Sequence, residues 1–195
     1  SPSVVSINLN PDRPHKSLRT PNGLLLTGGM LYHYDGVSLT ENNFFVFPVV
    51  QESGASSGGS ITAGTYLYRV IYEWYDAMGN VHRSAPSNSM SVTYTGTTNK
   101  TELTIYTLQL TRKRIGLYND SLNGVRAVVF RTGAGGSIYH RVGAANLSGK
   151  ESSVVVTWSD YGGITDAELF DNELLYTQAG VPANAFIGSC KDAAF

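Results

Sequence analysis

The residues best suited to chemistry in this sequence are its histidines and its single cysteine. No histidine belongs to an HExxH motif or another i, i+4 pair, and none is adjacent to the cysteine, so metal-ligand and Cys–His spacings are missing. The chain also has no G-x-S-x-G nucleophile elbow. We therefore expect no enzyme, and no catalytic, cofactor-binding or metal-binding residue. The four histidines and the cysteine are His15, His33, His82, His140 and Cys190.

A glycine-containing segment, residues 143–151, is similar in composition to a phosphate-binding loop. Its two glycines stand one residue too far apart for that motif, and Glu151 occupies the position where a Ser or Thr hydroxyl would bind Mg²⁺. A carboxylate at that position would repel phosphate. We therefore expect no bound nucleotide.

Two runs of charge could bind ions. The acidic run could hold Ca²⁺ through carboxylate oxygens, but its spacing does not match an EF-hand loop, and we expect a solvated connector. The basic run, Arg112-Lys113-Arg114, has no further basic residues nearby, so we expect a rim or a salt-bridge partner rather than a phosphate contact. The acidic residues are Asp160, Asp166, Glu168, Asp171 and Glu173.

Composition limits the class of protein that carries these side chains. The chain has 195 residues, 15% of them charged, and a formal net charge of -1, which excludes a highly charged disordered tail and a basic nucleic-acid module. No apolar run reaches the ~20 residues of a membrane span, and no signal segment opens the sequence. We expect neither nucleic acid nor a membrane as a partner. A single cysteine permits no internal disulfide.

The elements that would position these residues are strands, because the hydrophobic period is two. Between Tyr66 and Tyr75 the even positions are all aromatic or branched, whereas the odd positions are mixed. Successive side chains of a strand face opposite ways, so this pattern predicts a long strand with one continuous buried face. The predicted buried side chains are Tyr66, Tyr68, Val70, Tyr72 and Trp74.

Further strands follow at regular intervals and end at Gly, Asn or Ser. Gly133–Gly136 is predicted to be a hairpin loop, since glycine adopts positive φ without a steric cost. Helix is limited to one or two turns within Thr165–Leu175. The pattern predicts an all-β fold, an antiparallel Ig/fibronectin III-like β-sandwich at 61–160. The other predicted strands are Met90–Tyr94, Leu103–Leu110, Arg126–Thr132, Ser137–Val142 and Ser153–Trp158.

The flanks of the sandwich differ from it in kind. Residues 51–60 have the Gly/Ser composition of a flexible linker. Residues 23–50 predict a short-strand β segment, propeller-blade-like or an assembly contact, with turns at Gly28-Gly29 and Asp35-Gly36. Residues 1–22, with four prolines and one apolar stretch, predict an extended arm that adds to a neighbour's sheet. Residues 161–195 predict a return segment that is β or irregular.

Two hairpins of the predicted sandwich resemble a known family. Gly64–Tyr72, Asp76–Asn80 and Ser84–Ser87 together resemble the first hairpin of the fibronectin type III-like domains in viral structural proteins. Val129–Thr132 followed by Gly135–Val142 is similar to the later YRT-x-GG-x-Y hairpin of the same modules. In tailed-bacteriophage tail, head-completion and DNA-stabilisation proteins, such a domain often interrupts a propeller-like body.

The flanks extend the resemblance. Leu26–Gly36 and Leu174–Thr177 are similar to the segments that border the inserted domain, although residues 178–182 lack the two adjacent glycines of the family. The resemblance implies a virion structural protein that assembles with other copies of itself and with other virion proteins. It carries no catalytic residue. The alternative is a carbohydrate-binding or adhesion module with a glycan as partner, which would need an exposed row of Tyr and Trp rings.

Overall fold

The computed structural model of the chain describes residues 12, 14–28, 30–96, 99–106, 108, 111–113, 124–147, 155–162, 173–175, 189–190 and 193–194. These residues form fourteen strands and no helix, and all the strand pairs are antiparallel. The predicted all-β, antiparallel sandwich class is confirmed. Most of the segment 165–175, where one or two helical turns were allowed, lies outside the described residues.

The first four strands form a meander that we call the N-terminal sheet. They are β1 (Ser17–Thr20), β2 (Gly23–Leu26), β3 (Tyr32–Tyr34) and β4 (Leu39–Glu41), which lie side by side in that order. Strands β2 to β4 fall where short strands were predicted, and the Asp35-Gly36 pair forms the turn between β3 and β4. Strand β1 lies inside the segment predicted to be an extended arm, whose residues 1–11 lie outside the described part of the chain.

A five-stranded sheet follows, built around β6 (Gly64–Tyr75). Strand β10 (Arg126–Arg131) pairs with one edge of β6, and β11 (His140–Asn146) pairs with β10. Strands β7 (Val81–Arg83) and β8 (Met90–Tyr94) share the other edge of β6. Strand β8 has the predicted bounds, whereas β11 begins three residues later than predicted, so the hairpin loop extends beyond Gly133–Gly136.

The second sheet of the sandwich has three strands in the order β12-β9-β5. They are β12 (Val155–Asp160), β9 (Asn99–Tyr106) and β5 (Val50–Ile61), and a separate two-residue pair consists of β13 (Ser189–Cys190) and β14 (Ala193–Ala194). The prediction of a flexible linker at 51–60 is wrong, because these residues belong to β5. Backbone pairing with β9 orders them. A Cβ at Gly59 would lie 2.3 Å from the carbonyl oxygen of Asn99, so the close approach of the two backbones requires glycine there.

The predicted buried face of β6 is confirmed. Its five side chains are at most 4% exposed and pack with Leu103 and Ile105 of the opposite sheet. Ile71, on the other face of β6, is also buried, because Val128 and Phe130 of β10 lie beside it and Leu175 covers them. Both faces of the central strand are therefore covered.

Residues 173–175 of the return segment cover the outer face of the five-stranded sheet through ion pairs as well as apolar contacts. Glu173 forms ion pairs with Arg83 and Arg141, and the backbone N–H of Leu175 donates to the carbonyl of Tyr139 at 3.0 Å. Below this layer, Glu73 of β6 is fully buried and paired with Arg83 and Arg126. The expectation of a solvated acidic connector is wrong for Glu173.

It is also wrong for Asp160, which lies inside the sandwich. The Asp160 carboxylate accepts hydrogen bonds from Arg131 at 2.8 Å and from the Tyr68 hydroxyl at 3.0 Å. Tyr68 also contacts the hydroxyl of Thr101 at 3.1 Å, so strands of both sheets meet at one buried polar group. Asp166, Glu168 and Asp171 lie outside the described residues.

Candidate functional site

The richest cluster of titratable groups lies where the N-terminal sheet meets the β6–β7 hairpin. Asp76 begins the hairpin loop, and its Oδ1 accepts hydrogen bonds from the backbone N–H groups of Met78 and Asn80 at 2.9 and 2.8 Å. Gly79 has a φ of +83°, a conformation that glycine adopts without strain, which closes the loop over the carboxylate. The loop therefore holds Asp76 in one orientation.

The second oxygen of Asp76 faces side chains. Oδ2 accepts from the Asn80 amide at 2.9 Å and from His82 Nε2 at 3.1 Å. Burial opposes ionisation of Asp76, but the hydrogen bonds from Asn80, His82 and Met78 outweigh it and hold the pKa below its ordinary value. For His82, burial dominates over the Asp76 carboxylate and lowers the pKa of the imidazole.

His33 reaches the same place from β3. His33 is only 4% exposed, and its ring centroid lies 5.6 Å from that of His82. The His82 ring centroid lies 5.1 Å from that of Trp74. One ligating atom from each of His33, Asp76 and His82 falls within 4.8 Å of the others. The arrangement brings two imidazoles and one carboxylate together, a donor set that can bind a transition metal.

Two further carboxylates tie the N-terminal sheet to this cluster. Asp35 accepts from Val37 and Ser38 within its own turn, and also from the Ala77 N–H of the β6–β7 loop at 2.8 Å. Burial alone would raise the pKa of the Asp35 carboxyl, but these hydrogen bonds outweigh burial and hold the pKa below its ordinary value. The contact fixes the turn of one sheet against the loop of the other.

The other carboxylate, Glu41 of β4, pairs with the buried ammonium group of Lys113 at 3.1 Å. Lys113 Nζ also donates to the carbonyl oxygens of Glu41 and Asn43 and lies 5.6 Å from the centre of the Trp74 ring. Burial lowers the pKa of Lys113 to about 8, although Glu41 opposes this shift. The expectation that the basic run supplies a salt-bridge partner is confirmed for Lys113. Arg114 lies outside the described residues.

A cavity of about 310 Å³ opens beside the cluster. Its lining includes Asp35 and Ser38 of the β3–β4 turn, Trp74 and Ala77 at the end of β6, and Arg112. The buried cluster therefore has an open space next to it, bordered by an acidic and a basic side chain.

The remaining residues considered from the sequence lie apart from this cluster. His15 is exposed near the start of β1, and His140 is buried at the start of β11, where its backbone bridges to Leu174. Residues 143–146 of the rejected phosphate loop belong to β11, and residues 148–151 lie outside the described part. Cys190 is in β13. Sequence reasoning missed the His33–Asp76–His82 cluster because its members come from different sheets.

A second feature is an exposed apolar strip between β4 and β5, which we define as Phe45, Val46, Phe47 and Val49. These side chains are 40 to 54% exposed, whereas Phe44 and Pro48 in the same segment are buried. Phe44 packs 5.9 Å from the ring of Tyr72 in the sandwich core. The buried pair holds the strip in place against the molecule while its other side chains face outward.

No protein family, no curated protein and no solved structure matches the chain. Within the described ranges there is no helix that is long and apolar enough to cross a membrane.

Proposed function

We propose that the chain is a structural component of a virus particle, a phage tail or head-completion protein that acts through subunit assembly. Its partners are other copies of itself and other virion proteins, and its place is the virion. The observation that carries this proposal is the exposed apolar strip Phe45, Val46, Phe47 and Val49. Apolar surface of this kind on one short segment is stabilised when another subunit covers it.

The anchoring of the strip supports a contact surface. Because Phe44 and Pro48 are buried, the strip does not need to fold before it binds, and little conformational entropy is lost on association. Strand β1 is an edge strand of the N-terminal sheet as described. An open sheet edge can pair with a strand of a neighbouring subunit.

The arrangement of the five-stranded sheet supports the resemblance to fibronectin type III-like domains. Its path β11-β10-β6-β7 has the neighbour order of the G-F-C-C′ sheet of immunoglobulin-type sandwiches. In the first hairpin motif, the hydroxyl oxygens of Ser84 and Ser87 accept hydrogen bonds from the Tyr72 and Val70 N–H groups of β6 at 2.8 and 3.0 Å. The serines thus act as structural elements of the motif.

Burial of the rings favours assembly over the glycan-binding alternative. Stacking on sugars needs aromatic faces in solvent, yet Tyr66, Tyr68, Tyr72 and Trp74 are all at most 4% exposed. Tyr161 is exposed, but its ring lies beside the Lys100 ammonium group at 5.4 Å. The described rings therefore offer little support for the alternative.

The proposal is tested by the mass of the recombinant chain and by its presence in particles. We expect light scattering to find an oligomer, and the double variant Phe45→Ser/Phe47→Ser to shift it to the monomer. Ile138→Ser, at an apolar residue 58% exposed outside the strip, is the matched control and should leave the mass unchanged. Mass spectrometry of purified phage particles should detect the chain.

Two results would contradict the proposal. One is a wild-type chain that stays monomeric at all concentrations and is missing from particles. The other is a double variant that assembles like the wild type while the protein binds a glycan array.

A further inference from the structure

The tautomer of His33 leaves a buried Lewis base beside His82. His33 Nε2 lies 2.7 Å from the carbonyl oxygen of Asn22. A carbonyl oxygen can only accept, so Nε2 carries the proton and Nδ1 of the neutral ring carries a lone pair. Nδ1 is buried and has no hydrogen-bond partner. A buried acceptor without a partner costs free energy, so it calls for an explanation.

The same hydrogen bond is what a metal-binding histidine makes. Imidazole ligands usually donate their second ring N–H to a backbone carbonyl or carboxylate, which fixes the ring and raises its basicity. Here the Asn22 carbonyl holds the His33 ring from the β1–β2 turn. On the other side of the cluster, Met78 and Asn80 orient the carboxylate of Asp76 in the same manner. These contacts fix the orientation of the His33 ring and of the Asp76 carboxylate.

The local charge also suits a cation. Asp35, Glu41 and Asp76 are buried carboxylates at the junction of the sheets, and Lys113 is the buried amine that faces them. Asp35 accepts a hydrogen bond from the N–H of Ala77, the residue next to Asp76, and Lys113 forms an ion pair with Glu41. With the three carboxylates ionised and the amine protonated, these four groups carry a net charge of −2. The guanidinium of Arg112, which borders the adjacent cavity, reduces the excess to −1, and a divalent cation is attracted to this remaining negative charge.

We propose that His33, Asp76 and His82 bind one divalent cation of the zinc type, which joins the N-terminal sheet to the sandwich. In this site the ion bonds one ring nitrogen of each histidine and Oδ2 of Asp76. A neutral imidazole carries one proton, so coordination through His82 Nε2 moves the proton that now bonds Asp76 to Nδ1 of the same ring, and bonds from the ion to both groups replace that hydrogen bond. Ligand atoms around tetrahedral zinc with bonds of about 2.0 Å stand about 3.3 Å apart, so these atoms, which lie within 4.8 Å of one another, must draw together by up to about 1.5 Å.

The donors and their burial favour zinc over calcium or magnesium. Two imidazole nitrogens with one carboxylate suit a borderline-soft ion, whereas Ca²⁺ and Mg²⁺ require sets of oxygen ligands. Three described protein ligands leave one tetrahedral position for water. The role we infer is structural, since the ion would add a cross-link between the N-terminal sheet and the sandwich to the Asp35–Ala77 hydrogen bond and the Glu41–Lys113 ion pair.

The test uses the full chain after treatment with a chelator. We expect calorimetry with ZnCl₂ to give one ion per chain, and the melting temperature to rise with zinc but not with CaCl₂ or MgCl₂. Cobalt(II) should give the intense ligand-field absorption of a tetrahedral site. His33→Gln keeps an amide N–H for the Asn22 carbonyl but removes the lone pair of the imidazole Nδ1. We expect it to weaken zinc binding by more than the ~10–100-fold typical of losing an outer-shell partner.

His15→Gln, at an exposed histidine outside the cluster, is the matched control and should bind zinc like the wild type. If His33→Gln does not fold, X-ray absorption of the zinc-loaded wild type decides, because the site requires two imidazole nitrogens at about 2.0 Å. Substoichiometric binding, equal affinity of His33→Gln and wild type, or a zinc shell with fewer than two imidazoles would overturn the proposal.

Discussion

At the scale of single residues, the strongest constraint is the buried charge pair between Arg131 and Asp160. Arg131 is 2% exposed, and although burial disfavours its charge, Asp160 and Tyr68 raise its pKa, so it stays protonated. Asp160→Asn keeps an acceptor for the N–H of Gly162 but removes the negative charge. We expect the free energy of unfolding to fall by about 3–5 kcal/mol, since a buried guanidinium loses its counter-ion.

Urea unfolding measures this loss. The double variant Arg131→Met/Asp160→Leu removes both charges and should lose clearly less stability than Asp160→Asn, because no charge then remains buried. A single variant as stable as the wild type would mean that the pair contributes nothing to the sandwich.

Lys113 gives a prediction for alkaline pH. Its pKa is about 8 in the folded chain and 10.5 in an ordinary environment. Between these values the unfolded chain binds more protons than the folded chain, so the contribution of Lys113 to stability rises as pH increases from about 8 to about 10.5. Relative to Lys113→Met, the wild type should gain up to about 3 kcal/mol over this range.

Comparison of the two urea-unfolding profiles isolates this effect from the titration of tyrosines, which both proteins share. Parallel profiles would show that the Lys113 amine keeps an ordinary pKa next to Glu41.

At the scale of elements, the contact between β11 and β12 depends on the absence of a side chain. A Cβ at Gly143 would lie 2.5 Å from Cζ2 of the Trp158 ring, closer than carbon atoms can approach. Gly143→Ala should therefore shift the ring and lower the free energy of unfolding by about 1–3 kcal/mol, as overpacking does. Gly96→Ala, whose Cβ would meet only the Asn99 side chain at 3.4 Å, should change it by less than about 0.5 kcal/mol.

The experiment is urea unfolding followed by tryptophan fluorescence. If Gly143→Ala matched Gly96→Ala, the ring of Trp158 would have to yield without cost, and Gly143 would not define the spacing of the two strands.

The elements also show what the sequence can and cannot predict. Alternation over Tyr66–Tyr75 predicted β6 and its buried face, because a core strand needs a continuous apolar face. Strand β5 was missed, since its Gly and Ser residues carry no hydrophobic pattern and its order comes from the backbone of β9. Composition reports what a segment contributes to a core, and an edge strand need contribute little.

At the scale of the whole molecule, the candidate site was beyond prediction for a related reason. His82 and Asp76 lie on one hairpin, but His33 lies on the N-terminal sheet, and only the packing of the two sheets brings its ring to the others. Metal-site motifs are recognisable where ligands share a helix or a loop. Here the separation of the ligands along the chain gives no spacing to read.

The last prediction concerns how the two sheets are coupled. Asp35 is the described carboxylate that bonds the loop of the other sheet, through the Ala77 N–H at 2.8 Å, and it also holds its own turn. Short strands are marginal without a partner surface, so the N-terminal sheet should open more easily once this contact is lost. For Asp35→Ala we expect the free energy of opening of residues 17–41 to fall by about 1–3 kcal/mol, with β6 unchanged.

Hydrogen exchange with mass spectrometry measures both regions in one experiment, in chelator-treated buffer so that bound metal does not contribute. Asp35→Asn, which keeps an acceptor oxygen, is the matched control and should show a smaller acceleration. Equal acceleration in residues 17–41 and 64–75 would show that the two sheets open as one unit. In that case the turn would hold the whole molecule together, and the contact with Ala77 would not be a boundary between regions of different stability.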